Sequence, residues 1–413
     1  SLFYLPYAKF YLFNFISIFI LGFANIILLN KLFKRSKFLF SKNNQKNFIY
    51  FLSLLSFIFI NIFFYRMAEY GTDRAAMILV FLFVIELLKF LTSRIIKKNN
   101  LFTIYIFGAL IISFKAFYIL YCIFILPLFF YILKKKKTYI KSLYFLFFNK
   151  HFLLFIILFL FVLFTYYINT GCLIYPLSFT CFNEISWGIP ISEVNLMNSW
   201  YELWSKAGAN PNFRIDNPEE YIKSFNWVNN WIDMYFFNKV SDFILGVILL
   251  IIITLFLFRN VFFNKKIMRL DNQVFLVYLL ILILGFEWFY NHPALRYGGY
   301  HILALMLFIP ISVKLGLLKI NVKEYSKKVI ILISLTTIIF ISRNINRIMN
   351  EVELYNFQPI SKTYYFIDDG HFRIQKHMDK LIKHHNKCKK EKIECNTEPK
   401  IKNVIGKIVF INQ

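Results

Sequence analysis

The sequence has no nucleotide-binding loop, no zinc-protease pattern and no nucleophile elbow, so a cytosolic nucleotide-driven engine is not indicated. It contains no internal repeat. Residues Ser1 to Lys9 carry no secretory signal pattern with a basic start and a small-residue cleavage site. Charged residues are scarce, at 17% of 413 positions, whereas a soluble domain keeps about 25%. Acidic residues are scarcer still, 22 Asp and Glu against 48 Lys and Arg. A soluble-domain reading does not survive this composition.

What the sequence has in excess is apolar length. Hydrophobic residues make up 58% of the chain and aromatic residues 21%, with 53 Phe and a mean hydropathy of +0.56. The net charge of +26 does not mark a nucleic-acid-binding protein. Its Lys and Arg sit in short segments abutting apolar runs, which is how cytoplasmic membrane loops look. The runs predict spans at Phe10–Leu29, Phe48–Tyr65, Ala75–Thr92, Phe152–Ile168, Phe243–Phe258, Gln273–Trp288, Tyr300–Leu317 and Lys328–Ser342, each long enough for about 30 Å of hydrocarbon. Leu101–Leu133 is too long for one ordinary span and short for two, with Lys115 near its middle. It predicts two short helices in a tight hairpin. The expected fold class is an all-α polytopic membrane protein of about 10 hydrophobic helices, with a small α+β C-terminal tail.

Five basic clusters lie around Lys34, Lys97, Lys135, Lys265 and Lys327. They fall on one face only if Leu101–Leu133 crosses an even number of times, and that face should be cytoplasmic. The opposite face then carries Arg66–Arg74, a long loop at residues 169–242, Phe289–Gly299 and the tail. The expected division is a transmembrane domain over 1–343 and an extracytoplasmic tail domain over 344–413. In the tail, Thr363–Ile367 and Val404–Ile411 are expected as strands and Phe372–Asn386 as a helix. Of the five cysteines, Cys122 lies in an apolar run. Cys172 with Cys181, and Cys388 with Cys395, form two close pairs on the expected outer face, suggesting local disulfides in an oxidising compartment. The alternative for the second pair is a metal site with His384 and His385.

Charges beside or within a membrane are functional candidates. The outer loop Glu69-Tyr70-Gly71-Thr72-Asp73-Arg74 could hold a divalent cation, supply a base or bind an acceptor; otherwise it is a solvated turn with a local ion pair. Lys115, at a hairpin apex, is placed to meet a lipid phosphate or to snorkel to the surface. In His292-Pro293-Ala294-Leu295-Arg296-Tyr297, Arg296 offers a planar donor fork suited to phosphate oxygens, and His292 could shuttle a proton; the alternative is a structural turn. Five of six Trp lie in the long loop: Trp187, Trp200, Trp204, Trp227 and Trp231. They suit an aromatic belt or stacking on a sugar ring.

These features together resemble the GT-C class of membrane glycosyltransferases. Gly108 to Lys115 with downstream Pro127 looks like that class's Gly-to-Lys hairpin. Arg296-Tyr297 ahead of Pro310 looks like its Arg-Tyr…Pro element, and Glu69…Asp73 sits where a second acidic outer loop occurs. More narrowly, Glu69–Arg74 and Thr170–Pro176 are similar to passages in a group of bacterial polytopic proteins of this class. The resemblance implies a bacterial inner-membrane enzyme with its long loop and tail in the periplasm. It would transfer a sugar from a polyprenyl-phosphate donor to a glycan or lipid acceptor, in inverting fashion, during cell-surface glycan or lipopolysaccharide assembly. Lys115, His292, Arg296, Tyr297 and Trp187 would bind substrate, and Glu69 or Asp73 would position the acceptor or a divalent cation. That class carries its main catalytic carboxylate in the first outer loop. This chain opens at Ser1 without a Met, so a truncated N-terminus lacking that residue is expected. An O-antigen polymerase or ligase, a lipid-linked glycan flippase or other transporter, and an assembly subunit without chemistry remain alternatives.

Overall fold

The computed structural model describes residues 15–34, 44–66, 72–93, 95–182, 185, 187–210, 213–258, 272–318, 322–355, 380–384, 386–388, 390–391, 400–404 and 407–411. Contacts divide the chain into two units, Ser1–Asn344 and Ile345–Gln413.

The described residues are helical almost throughout. In order come α1 (Phe15–Lys34), α2 (Asn44–Phe63), α3 (Asp73–Leu91), α4 (Phe102–Phe114), α5 (Ile125–Lys136), α6 (Tyr139–Phe147) and α7 (Lys150–Thr170). Then follow α8 (Ile191–Ser205), a two-residue-per-strand hairpin β1 (Ala209–Asn210) and β2 (Phe213–Arg214), α9 (Pro218–Ile222), α10 (Val228–Trp231), α11 (Ser241–Leu257), α12 (Asn272–Asn291), α13 (Gly299–Gly316) and α14 (Val322–Tyr355). The second unit ends in an antiparallel hairpin of β3 (Lys400–Val404) and β4 (Lys407–Ile411).

Among the described residues seven helical stretches are long and apolar enough to cross a membrane, rather than about ten, and two shorter apolar helices accompany them. The expected span Phe10–Leu29 is displaced to Phe15–Lys34, and its first five residues lie outside the described set. The single strand expected over Val404–Ile411 is instead divided, with Val404 ending β3 and Lys407–Ile411 forming its antiparallel partner β4. The expected strand Thr363–Ile367 lies outside the described residues, as does most of the expected helix Phe372–Asn386.

Burial sorts the helices. The α3 helix lies at the centre, touching α1, α2, α4, α5, α12 and α13. Fifteen of its 19 residues are buried. By contrast α7 buries none. Its exposed face runs Leu153, Ile157, Leu160, Phe161, Phe164 and Ile168, a helical spacing that is wholly apolar. The α11 and α12 helices show similar faces, through Leu245–Phe256 and Phe275–Phe286. Soluble monomers do not leave such continuous apolar surface in water. Polar side chains also join helices inside the bundle. Asn25 and Asn61 exchange amide hydrogen bonds at 3.0 and 2.7 Å between α1 and α2, and Lys31 of α1 pairs with Glu86 of α3 at 2.5 Å.

The expected hairpin is present. The α4 helix rises to Lys115, and the chain returns through a 3₁₀ stretch, Ala116–Phe124, that runs into α5. A second departure from α geometry is the π-helical stretch Ile232–Val240, which links α10 to α11. The α7 helix is capped at both ends. Asn149 accepts from the His151 and Phe152 amides, and Gly171 at φ 75° closes the C-terminus in the left-handed region.

Candidate functional site

Asp73 opens α3 and is its one acidic first-turn residue, a position favoured by the partial positive charge of a helix N-terminus. Thr72 precedes it. Instead of capping α3, its hydroxyl donates to the Phe114 carbonyl at 3.1 Å. That bond ties the start of α3 to the end of α4, and so brings the hairpin apex to Asp73. Lys115 then follows directly, in extended backbone, and its ammonium pairs with one Asp73 carboxylate oxygen. The other oxygen lies 3.3 Å from Arg296 Nε.

Arg296 sits in a single 3₁₀ turn, Leu295–Tyr297, between α12 and α13. Two bonds and a glycine fix that turn. Trp288 Nε1 donates to the Ala294 carbonyl at 2.9 Å, and the Leu295 amide donates to the Tyr235 hydroxyl at 3.0 Å. Gly298, at φ 123°, supplies the backbone reversal into α13, which a residue with a Cβ rarely adopts. Tyr235 comes from the π-helical stretch, so the long loop's exit helix props up the Arg296 turn. Tyr297 lays its ring beneath both cations, 4.7 Å from Lys115 Nζ and 5.4 Å from the Arg296 guanidinium carbon. Such contacts stabilise a cation by about 0.5–2 kcal/mol. Burial pushes the Tyr297 phenol up, with Arg296 opposing and Asp73 reinforcing that shift.

The three charges differ in exposure. The Lys115 and Asp73 side chains are 24% and 17% exposed, and that of Arg296 is 65%. Arg296 is therefore the group that can turn toward an incoming anion, while Asp73 and Lys115 form the seated base. His292 lies beside Tyr297, with ring centroids 5.7 Å apart. Its Nδ1 is shielded from solvent and has no hydrogen-bond partner among the described residues. Burial pushes the imidazole down to about 4, helped by the Lys206 and Lys115 cations, so it is neutral around pH 7.

The long loop covers this end of the bundle. Lys206, only 1% exposed, pairs with Glu202 at 2.6 Å and lies over the Trp227 and Tyr290 rings. Trp227 and Trp231 pack on Phe289. The Trp227/Trp231 pair is thus an anchor for the loop, with Trp227 fully buried, and not a free stacking surface. Trp187 is exposed and its ring contact is with Tyr167, so the structure does not gather it with the charged cluster. Cys172 and Cys181 form a disulfide within the loop. Cys388 is disulfide-bonded, Cys395 lies outside the described residues, and Cys122 is free. Glu69 lies outside the described residues. Among the described residues there is no group of three His, Cys, Asp or Glu that could hold a metal ion.

Five of the expected site residues, Asp73, Lys115, His292, Arg296 and Tyr297, therefore share one end of the bundle. Beneath them is a polar layer that sequence reasoning missed. Tyr121 and His301 share a hydrogen bond, Tyr118 packs its ring edge-on to Tyr121 and tilted against His301, and Tyr118 Oη and His301 Nδ1 lack partners among the described residues. The signal was a histidine inside an apolar helix, at the third position of α13.

One family model, described as a domain of unknown function (DUF8201), matches residues 2–303. The chain belongs to this DUF8201 family. The match takes in all five clustered residues, runs out within α13, and leaves α14 and the second unit beyond it. No curated protein and no solved structure matches the chain.

Proposed function

We propose that the chain is an integral membrane glycosyltransferase of the inner bacterial membrane. It would take a sugar from a polyprenyl-phosphate donor at the periplasmic face, for cell-surface glycan assembly. The observation that carries this reading is the convergence of Asp73, Lys115 and Arg296, from three separate connectors, at one end of an apolar bundle. Two cations held by one carboxylate form a preorganised seat for a dianionic phosphate at the depth where a lipid headgroup lies.

In the transfer, an acceptor hydroxyl or amine attacks the anomeric carbon. The bond from that carbon to the phosphate oxygen breaks, and its electron pair stays on the phosphate. Lys115 and Arg296 stabilise that charge. Asp73 holds the two cations apart and aimed; with both oxygens engaged it is a tether rather than a proton acceptor. The neutral His292 lies close enough to the cluster to take up the acceptor proton. Electrostatic stabilisation of this kind contributes about 2.7–4 kcal/mol per donor.

The test is release of polyprenyl phosphate from a panel of lipid-linked sugars by the full-length membrane protein. The wild type is compared with Arg296→Ala and Lys115→Ala. Release lost by a factor of about 100 or more in both variants, at unchanged protein level, supports the transferase. No release from any donor, with an intact lipid-linked glycan moved across the membrane instead, would replace it with a flippase.

A further inference from the structure

The strongest feature outside the charged cluster lies at the opposite end of the bundle, around α6. No acidic residue occurs between Glu86 and Glu184. Within that interval Lys98, Lys134, Lys135, Lys136, Lys137, Lys141 and Lys150 surround α6 or directly adjoin it in sequence. The helix is two-faced. Ser142, Phe145 and Leu146 are buried, and the Tyr105 hydroxyl fastens that side by donating to the Leu146 carbonyl at 2.9 Å. Lys98 adds a bond to the Phe148 carbonyl at 3.2 Å and lies over the Tyr144 ring at 4.7 Å. The other side leaves Tyr139, Ile140, Leu143, Tyr144 and Phe148 exposed, Ile140 to 81%.

Position decides what covers this face. The α6 helix joins the end of one candidate span, Ala116–Lys136, to the start of the next, Lys150–Thr170. Nine residues of helix reach only about 14 Å, so α6 cannot cross a bilayer and lies along its boundary. An apolar, tyrosine-bearing face rimmed by lysines and free of carboxylates matches one surface, the headgroup layer of an anionic leaflet. Ile140, Leu143 and Phe148 enter the acyl boundary, and the lysines meet phosphates.

We propose that α6 is an interfacial anchor that collects anionic phospholipid at this end of the bundle. The proposal requires the bundle to sit in a membrane, but it does not depend on glycosyl transfer, so either can fail alone. The test uses the purified full chain in nanodiscs of mixed phosphatidylcholine and phosphatidylglycerol, and measures the lipid retained after extraction into detergent. Substituting Lys134, Lys135, Lys137 and Lys141 together by Gln should lower retained phosphatidylglycerol about fivefold or more, with phosphatidylcholine unchanged. The same four positions as Arg should retain wild-type levels, as should Lys323→Gln with Lys327→Gln at another basic cluster. Wild-type protein washed at about 1 M salt should lose its preference, because screening then acts within about 3 Å; this arm holds even if the Gln variant does not fold. Equal phosphatidylglycerol retention by the wild type and a folded Gln variant, or a preference that survives salt, would overturn the proposal. So would a wild-type dimer that Ile140→Glu turns into a monomer, since a second copy would then cover the face.

Discussion

At the scale of single residues, Lys115 and Arg296 are not equivalent although both face Asp73. Lys115 is mostly buried and Arg296 mostly exposed. Lys115→Ala leaves a partly buried carboxylate with one cation, and should lower unfolding stability by about 2 kcal/mol. Arg296→Ala should leave the melting temperature within error while still abolishing phosphate binding. Thermal unfolding followed by Trp fluorescence distinguishes the two; equal losses would sink the distinction. His292 gives a pH signature. Its folded value of about 4 lies below the ordinary 6.5, so between those values the unfolded chain holds the extra proton. The contribution to stability is full above pH 6.5 and is lost as pH falls through 4, by about 3 kcal/mol. His292→Gln should flatten that slope. The charged residues of the site were legible because each interrupts or borders an apolar run. Tyr118 and Tyr121 were not, because in a chain that is 21% aromatic two more tyrosines give no contrast.

Among the elements, the hairpin was readable from length alone, with Lys115 at its apex. The 3₁₀ geometry of its return arm was not, since hydrophobic periodicity does not register the local winding. Nine 3₁₀ residues rise about 18 Å, against about 14 Å in α form, and the extra length lets one arm of modest residue count return the full height of the bundle. The packing of α2 on α13 was equally hidden. A Cβ on Gly316 would lie 2.8 Å from the Phe48 amide nitrogen, whereas one on Gly22 would meet nothing within 4 Å. Gly316→Val should therefore cost about 2–3 kcal/mol, while Gly22→Ala should be neutral or stabilising by up to about 1 kcal/mol. Chemical unfolding of both variants in the same detergent checks the pair, and a Gly316→Val as stable as wild type would mean that the two helices can separate cheaply.

For the molecule as a whole, the described connectors sort by ends. Asp73, Lys115, the long loop and the Arg296 turn meet at one end. Ser93, Lys98, Tyr131 and α6 meet at the other, through the Tyr131 bond to the Ser93 carbonyl and the Lys98 bond to Phe148. In a background with Cys122 replaced, Arg296→Cys should react with a membrane-impermeant maleimide in intact cells, and Lys137→Cys only in inside-out vesicles. Labelling of both from one side would refute the two-ended topology. What sequence could not supply was the radial order, because α3 and α7 are both long and apolar, yet one is sheathed on all sides and the other buries nothing.

The two ends of α3 also differ in when their partners are made. Glu86 pairs with Lys31, which has already left the ribosome when α3 is synthesised. Asp73 must wait for Lys115, and longer for Arg296. During synthesis Glu86 at one end of the shaft is neutralised at once, while Asp73 at the other end is answered first by Lys115 and gains its second cation only when α12 and the turn after it are complete. Of the charge pairs made by α3, the last to close in the growing chain is thus the one that completes the site.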